Sequence, residues 1–315
     1  MLRKIVCAAL LFACSAHAQY PAKPIRVVVP FPAGSSTDII TRVLASSVSQ
    51  ALGQTLVVDN KAGADGAIAA AEVAKAAPDG YTLLMATNSP MSAVPALKKT
   101  PPYDPVADFT PITDIGRYTF FILVHPSVPA KTLKELIDYA RANPGKLNYA
   151  TGNTTGIVST AYFASLARIE LVHVPYKGEP QAVTDLVAGR VQLMFCSSGT
   201  SIAHIRDGRL RALVTTLAKR SQLLPEVPTI AEAGMPQFSI TSWAGLFGPA
   251  RMPREVVERL NKEFVAAMAR SEVQAAMEKA AFALSPSTPG ELAAFVQEQM
   301  ESYRRILRAA GVEPE

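Results

Sequence analysis

Short apolar runs alternate with amphipathic stretches along most of the chain. Runs such as Ile25–Val29 and Phe120–Val124 have the length of buried strands, whereas the apolar residues between 39 and 52 recur at helical spacing. The same criteria predict further strands at 55–58, 81–86, 147–150, 171–174, 191–195 and 210–215, and further helices at 67–77, 133–142, 157–167, 181–188, 256–268 and 292–307. Alternation of this kind predicts α/β layers built on mostly parallel sheets.

Two segments interrupt this alternation and divide the chain. The proline-rich stretch 98–112 has no helical period, and we predict that it crosses between two lobes. Residues 238–250 are predicted to cross back. A chain of 315 residues also exceeds the size at which one core stops growing, roughly 250 to 300 residues. We therefore predict lobe I at 19–121 plus 244–315 and lobe II at 122–243.

The first eighteen residues have the order of a secretory signal. Two positive charges precede an apolar stretch, and small residues end at Ala18. We predict cleavage after Ala18 and export of the chain. An alternative hypothesis, a lipoprotein signal with a lipidated Cys14, remains open, although Phe12 fits it poorly.

Composition narrows the possible functions. Hydrophobic residues make up 49% of the chain and charged residues 18%, which is typical of a well-packed globular protein. Removal of the signal takes away Arg3 and Lys4 and lowers the formal charge from +5 to +3. The remaining basic residues are scattered, so we expect no nucleic-acid partner. Cys196 is the one cysteine outside the signal, and therefore no internal disulfide can form.

Four predicted strands are followed by loops of similar composition. These loops read "PFPAGSSTD", "TNSP", "TGNTTG" and "CSSGTS". Ligands of parallel α/β sheets lie beyond the carboxyl ends of the strands, near the amino ends of the following helices. We therefore expect all four loops to face one cleft, two from each lobe.

Glycine, hydroxyl and amide residues in these loops favour a small anion. Hydroxyls and amides donate hydrogen bonds without adding charge, and a helix amino terminus attracts negative charge. Ser35 or Ser36, and Thr154 or Thr155, are predicted as helix N-caps. Asp38 is predicted to interact with the helix dipole rather than with a ligand. Capping alone explains one such loop, but the first and third loops contain more polar residues than capping requires.

The predicted site draws on these loops and on two aromatic residues near them. Lys177 is predicted to be solvated, and the position of Arg117 relative to the cleft is left open. We expect no metal and no cofactor. The predicted ligand-binding residues are Phe31, Ala33, Gly34, Ser35, Ser36, Thr37, Thr87, Asn88, Ser89, Thr151, Gly152, Asn153, Thr154, Thr155, Tyr176, Cys196, Ser197 and Trp243.

Catalytic signatures are missing from the sequence. It contains no G-x-S-x-G, H-E-x-x-H, C-x-x-C or Walker motif. An enzyme remains the alternative hypothesis, with Cys196 as nucleophile and His204 or His173 as base. A small cleft-lining or buried Cys196 is the preferred interpretation, and we predict a binding protein that is not an enzyme.

Six segments together carry a family resemblance. They are "YPAKPIRVVVPFPAGSSTDIITRVLA", "AAPDGYTLLMAT", "PYDPVADFTPIT", "NYATGNTTG", "HVPYKGEPQAVTDLVAGRVQLMF" and "LLPEVPTIAEAGMP". In this order they resemble the Bug-type substrate-binding proteins of tripartite tricarboxylate transporters. The resemblance extends from Tyr20 to about the end of the chain.

This resemblance implies a type II periplasmic binding protein, here expected as a monomer. Two α/β lobes would close over a small organic acid and present it to an integral-membrane permease. A sensory role, in which the same fold reports to a periplasmic receptor domain, remains an alternative. In the family, loops at 31–37 and 151–155 would hold the carboxylate.

Two departures from the family pattern concern the ligand. Gly34-Ser35 replaces a more usual pair of glycines, and Cys196 stands where an aspartate is frequent. We therefore predict a mono- or dicarboxylate and disfavour an amino acid.

Overall fold

The computed structural model describes residues 20–217, 219–238, 240–309 and 314. The predicted signal, its cleavage site after Ala18 and the alternative at Cys14 lie outside these residues. Within the described residues, no helix is long and apolar enough to cross a membrane.

Eleven strands and ten α-helices are found in the described residues. The strands are β1 (Ile25–Val29), β2 (Leu56–Asn60), β3 (Thr82–Thr87), β4 (Phe109–Tyr118), β5 (Phe120–Val124), β6 (Asn148–Thr151), β7 (Val172–Pro175), β8 (Leu193–Ser197), β9 (Arg211–Thr215), β10 (Trp243–Pro249) and β11 (Phe282–Leu284). The helices are α1 (Ser36–Leu52), α2 (Ala67–Ala74), α3 (Val94–Leu97), α4 (Leu133–Ala142), α5 (Thr154–Ala167), α6 (Glu179–Val187), α7 (Ser198–Arg206), α8 (Arg254–Met268), α9 (Ser271–Lys279) and α10 (Pro289–Ala309).

The strands form two sheets of six and five strands, whose orders correspond when the extra edge strand β11 is set aside and one sheet is read in reverse. The first sheet is β11-β4-β10-β3-β1-β2 and the second is β7-β6-β8-β5-β9. In each sheet, one strand comes directly after the chain has crossed over from the other sheet. This strand is β10 in the first sheet and β5 in the second, and it pairs antiparallel with both of its neighbours. The remaining strands except β11 share one direction, so the sheets are mixed but mostly parallel in orientation. We call the halves built on the first and second sheets lobe I and lobe II.

Helix α1 shows how the sequence fixes an element that borders the cleft. The side chain of Ser35 caps it by accepting a hydrogen bond from the backbone N–H of Asp38 at 3.3 Å. Gly53 ends it with φ of 65°, a left-handed conformation that glycine adopts without strain. Buried Ile40, Leu44 and Val48 form the face that packs in the core. Capping and apolar spacing thus fix the position of the amino end of α1.

The central strands of the sheets are buried on both faces. All residues of β5 and of β8 are buried, as expected for strands covered by helices on either side. In lobe I, Trp243 packs edge-on against Phe295 of α10, with 5.3 Å between ring centroids. The core therefore supplies a rigid support for the loops at the strand ends.

The first predicted crossing was placed too early in the chain, and the second includes the return to lobe I but also a strand of that lobe. The stretch 98–112 comes before the change of sheets, because its last residues already form the start of β4, a strand of lobe I. The chain changes sheets at Thr119, between β4 and β5. Likewise, β10 within 238–250 is an inner strand of lobe I, and the return precedes Trp243. The proposed lobe boundaries at 121/122 and 243/244 stay a prediction. Helices α3, α7 and α9 and strand β11 were not predicted either.

Candidate functional site

Loops from both lobes meet at the carboxyl ends of the parallel strands. Ser36 Oγ lies 2.6 Å from Ser197 Oγ, and Asn88 Nδ2 donates to Thr155 Oγ1 at 2.8 Å. Each of these hydrogen bonds joins lobe I to lobe II. Between them lies a cavity of about 30 Å³, lined by Phe31, Ser35, Ser36, Thr37, Thr87, Asn88, Tyr118, Phe120, Gly152, Asn153, Thr155, Glu179, Ser197 and Ser242.

The first loop of lobe I is held in shape by Asp38. This carboxylate accepts hydrogen bonds from Gly34 N at 3.0 Å, Arg42 Nε at 2.9 Å and Asn60 Nδ2 at 3.0 Å. Burial acts to raise the pKa of Asp38, but these hydrogen bonds, chiefly from Arg42, hold it below its usual value. Asp38 thus stabilises the loop that presents Ser36 to the cavity.

Asn88 connects several elements at the lobe I wall. Its amide nitrogen donates to Thr155 Oγ1 and to the hydroxyl of Tyr303 on α10. Its carbonyl oxygen accepts from Ser242 Oγ at 3.2 Å. Burial raises the pKa of Tyr303 to about 12, so this hydroxyl stays protonated at neutral pH. Asn88 is therefore fixed in one orientation at the edge of the cavity.

In lobe II, Asn153 begins helix α5. Its side chain accepts from Gly156 N at 2.9 Å, so Asn153 is the N-cap rather than Thr154 or Thr155 as predicted. This cap leaves Thr155 free to face lobe I, where its backbone N–H donates to Ser89 Oγ at 3.2 Å. Ser35 is the cap of α1, one of the two residues predicted for it.

Glu179 is the charged residue that the sequence analysis missed. It is the first residue of α6, 7% exposed, and it lines the cavity. Its carboxylate accepts from Asn153 Nδ2 at 3.2 Å, Thr200 Oγ1 at 3.2 Å and Ser197 Oγ. Burial raises its pKa, although these hydrogen bonds act in the opposite direction. The sequence did contain a signal for this residue: an acidic residue stands between a glycine and a proline, shortly after a predicted strand.

Glycine at two positions allows these elements to approach. A Cβ atom at Gly152 would overlap the backbone at the start of α6, and one at Gly199 would overlap the side chain of Ser36. Larger residues would therefore displace Glu179 or separate the lobes.

Ten of the predicted site residues line the cavity, and eight do not. Ala33 and Gly34 are exposed on the loop, and the Tyr176 hydroxyl instead donates to Asp185 at 2.8 Å. Trp243 is buried in the lobe I core. Ser89, Thr151 and Thr154 lie next to lining residues but do not line the cavity themselves. Cys196, the last of the eight, also does not line it. Tyr118, Phe120 and Ser242, at the two crossings, were not among the predicted residues.

Cys196 is part of the lobe II core. It is fully buried, its Sγ lies 3.3 Å from Thr200 Oγ1, and burial raises the pKa of its thiol well above the usual value. Among the described residues, no histidine hydrogen-bonds to it; His173 instead lies 2.7 Å from Thr151 Oγ1. A reactive thiolate needs a lowered pKa, so this environment does not suit a nucleophile.

Arg117 and Lys177 do not line the cavity. Arg117 donates to Asp114 at 2.7 Å and lies over the ring of Phe295. Lys177 is exposed. Within the described residues, there is no group of three or more histidine, cysteine or acidic side chains placed to bind a metal.

Comparison with known proteins identifies the family. A family model described as "Tripartite tricarboxylate transporter family receptor" matches residues 40–312. The chain belongs to this receptor family. Its Bug-type character is supported by the periplasmic binding protein BugD, whose solved structure is 33% identical, covers 94% of this chain and 100% of its own, and has a TM-score of 0.89.

Two solved structures of receptor-like proteins hold carboxylates. A Rhodopseudomonas palustris protein with adipate is 33% identical, with a TM-score of 0.90 and coverage of 94% of this chain and 100% of its own. MatC from the same organism, with bound malate, is 30% identical, with a TM-score of 0.86 and coverage of 91% and 100%. These similarities confirm the predicted two-lobed α/β fold.

Proposed function

We propose that this receptor captures a small organic mono- or dicarboxylate between its lobes, closes over it by hinge motion and delivers it to a membrane permease. The convergence of polar groups carries the proposal. Neutral hydroxyls and amides from both lobes meet beside the amino ends of α1 and α5, which favour an anion. Relatives with bound adipate and malate support the same ligand class.

The size of the cavity implies that the lobes must separate. A volume of about 30 Å³ holds one or two waters and no dicarboxylate. Opening would break the bonds Ser36–Ser197 and Asn88–Thr155 and free the same polar atoms for a ligand. The ligand then favours the closed state to the extent that it binds that state more tightly.

The same proposal includes a periplasmic location and no catalytic step. The predicted signal, cleaved after Ala18, and the description of BugD as periplasmic support the location. The buried, unactivated Cys196 supports binding without catalysis. Both walls of the cavity belong to one chain, which supports capture by a single polypeptide, and we propose that it acts as a monomer.

Calorimetry of the refolded, ligand-free chain from Gln19 tests the proposal. We expect a panel of organic acids that includes adipate and malate to contain at least one that binds. Thr155→Val should weaken that binding by about 1 kcal/mol, because a hydroxyl of the cavity wall is removed. Thr154→Val is the matched control, since Thr154 does not line the cavity, and should bind as the unmodified chain does.

Small-angle scattering tests the hinge motion. The radius of gyration should fall when a saturating acid is added. Absence of binding to every acid of the panel by correctly refolded protein would refute carboxylate capture. An identical scattering profile with and without a bound acid would refute closure alone.

A further inference from the structure

Glu179 places a carboxyl group inside a cavity that is otherwise lined by neutral side chains. It is 7% exposed, and three side chains donate to it, from Asn153, Thr200 and Ser197. Ser197 also bonds across the cleft to Ser36 at 2.6 Å. Glu179 is therefore one hydrogen bond away from one of the contacts that join the lobes, the bond between Ser36 and Ser197.

No positive side chain neutralises this group in the part of the chain that the structure describes. The lining residues include no lysine, arginine or histidine, and none of the ion pairs involves Glu179. The titratable groups that face it are Tyr118 and Cys196, and burial raises the pKa of both, so they stay neutral. Buried carboxylates are normally paired with a cation.

The surroundings of Glu179 suit a charged carboxylate that lacks only such a partner. Three donors and the amino end of α6 favour the ionised form. Burial acts against it and raises its pKa. A ligand carboxylate in the same cavity adds a second negative charge, and a positive group on the ligand would pair with Glu179 and reduce the net charge of the site from two negative charges to one.

We propose that Glu179 is a specificity-determining residue that binds a protonated amine of the ligand, so that the cleft selects carboxylates that also carry an amino group. The inference rests on the proposed function and narrows its ligand class. It reverses the expectation from the sequence, which disfavoured amino acids because of Cys196. The acidic group comes from α6 rather than from the end of β8.

Matched pairs of small acids test this selection by calorimetry at pH 7. The probes are malate and aspartate, succinate and β-alanine, and glutarate and γ-aminobutyrate; in each pair an amine replaces a hydroxyl or a carboxylate. We expect the amino member of at least one pair to bind at least about tenfold more tightly. Glu179→Gln should reduce that preference at least about tenfold, because the amide has the same shape but no charge.

Two further variants keep the result interpretable. Glu179→Asp retains the charge and should retain the direction of the preference. Glu170→Gln removes an exposed carboxylate of lobe II and should change nothing. Circular dichroism establishes that each variant is folded.

The outcomes separate the two proposals. Tighter binding of the amine-free acid in every pair, or a preference that survives Glu179→Gln, refutes the role of Glu179 and leaves carboxylate capture intact. Failure of every probe and of the wider acid panel refutes carboxylate capture, and the role of Glu179 with it.

Discussion

Asp38 and Glu179 are two buried acids in different lobes: Asp38 supports a loop at the cleft, and Glu179 lines the cavity. Each lies in the first turn of a helix, and they are 4% and 7% exposed. Asp38 pairs with Arg42, and hydrogen bonds lower its pKa, whereas Glu179 has donors but no cation and burial raises its pKa. Similar solvent exposure thus accompanies opposite shifts, because Glu179 lies deeper in the protein and has no cation, whereas Asp38 lies nearer the surface and pairs with Arg42. The paired acid maintains a loop, and the unpaired one is available to a ligand.

Displacing α6, the helix that carries Glu179, should have the largest effect on stability and on ligand binding. Gly152→Ala places a methyl group in the backbone at the start of α6, so we expect a loss of about 3 kcal/mol in unfolding free energy and loss of ligand binding. Urea denaturation measures the first effect and calorimetry the second. In Gly156→Ala the new methyl group has ordinary contacts inside helix α5, and that variant should be as stable as the unmodified chain or more so. Equal stability of the two variants would contradict the close approach.

Asp38→Asn should destabilise the fold by about 2 kcal/mol at pH 7, because charged hydrogen bonds to Arg42 and Gly34 are weakened. A carboxylate with a lowered pKa contributes stability above its unfolded pKa of 3.8 and loses it as the pH falls through the folded value. The difference between variant and unmodified chain should therefore be constant above about pH 5 and shrink below pH 4. Urea denaturation across this range measures it.

Asp138→Asn provides the control for that measurement. Asp138 forms an exposed ion pair with Lys134 on α4, and its loss should cost less than about 1 kcal/mol. A larger loss of unfolding free energy in Asp138→Asn than in Asp38→Asn would show that the burial of Asp38 does not determine its contribution to stability.

Glu179→Gln should stabilise the fold at pH 7, in contrast to Asp38→Asn, which should destabilise it. A carboxyl with a raised pKa contributes its full stability below the unfolded pKa of 4.5, and that contribution is lost as the pH rises through the folded value. The ligand-free variant should therefore melt a few degrees higher at pH 7, with a difference that disappears towards pH 4. Differential scanning calorimetry tests this, and a lower melting temperature at pH 7 would show that Glu179 stabilises the fold.

Ser36→Ala should have the smallest effect, about 0.5 to 1 kcal/mol, because it removes one hydrogen bond between the lobes. Scattering of the ligand-free protein should shift towards a more open average shape. Ser46→Ala, at an exposed position of the same helix, should leave the profile unchanged. A shift of equal size at Ser46 would exclude the cross-lobe bond as the cause.

Sequence periodicity was sufficient for the elements that have strong local signals. Strands β1 and β5 and helix α4 were predicted to the residue, and the main error lay at β4 and β10. Their sequences contain proline and glycine and no clear alternation. Both strands form because neighbours in the sheet supply hydrogen bonds and cover their faces, which is tertiary information.

The candidate site shows the same division. Loops rich in glycine, serine and threonine at strand ends could be recognised in the sequence, because turns and helix caps require these residue types locally. The sequence could not show which side chain reaches the cavity: Cys196 and Ser197 are adjacent in the chain, but Ser197 lines the cavity and Cys196 is buried in the core of lobe II. The selection of Glu179 depends on α6 packing beside Gly152 and on the absence of a cation from the described lining. The sequence alone determined the α/β class, the loops and their neutral polar character; only the tertiary structure decided which acid is paired and which one faces a ligand, because charge pairing depends on distances between elements far apart in the chain.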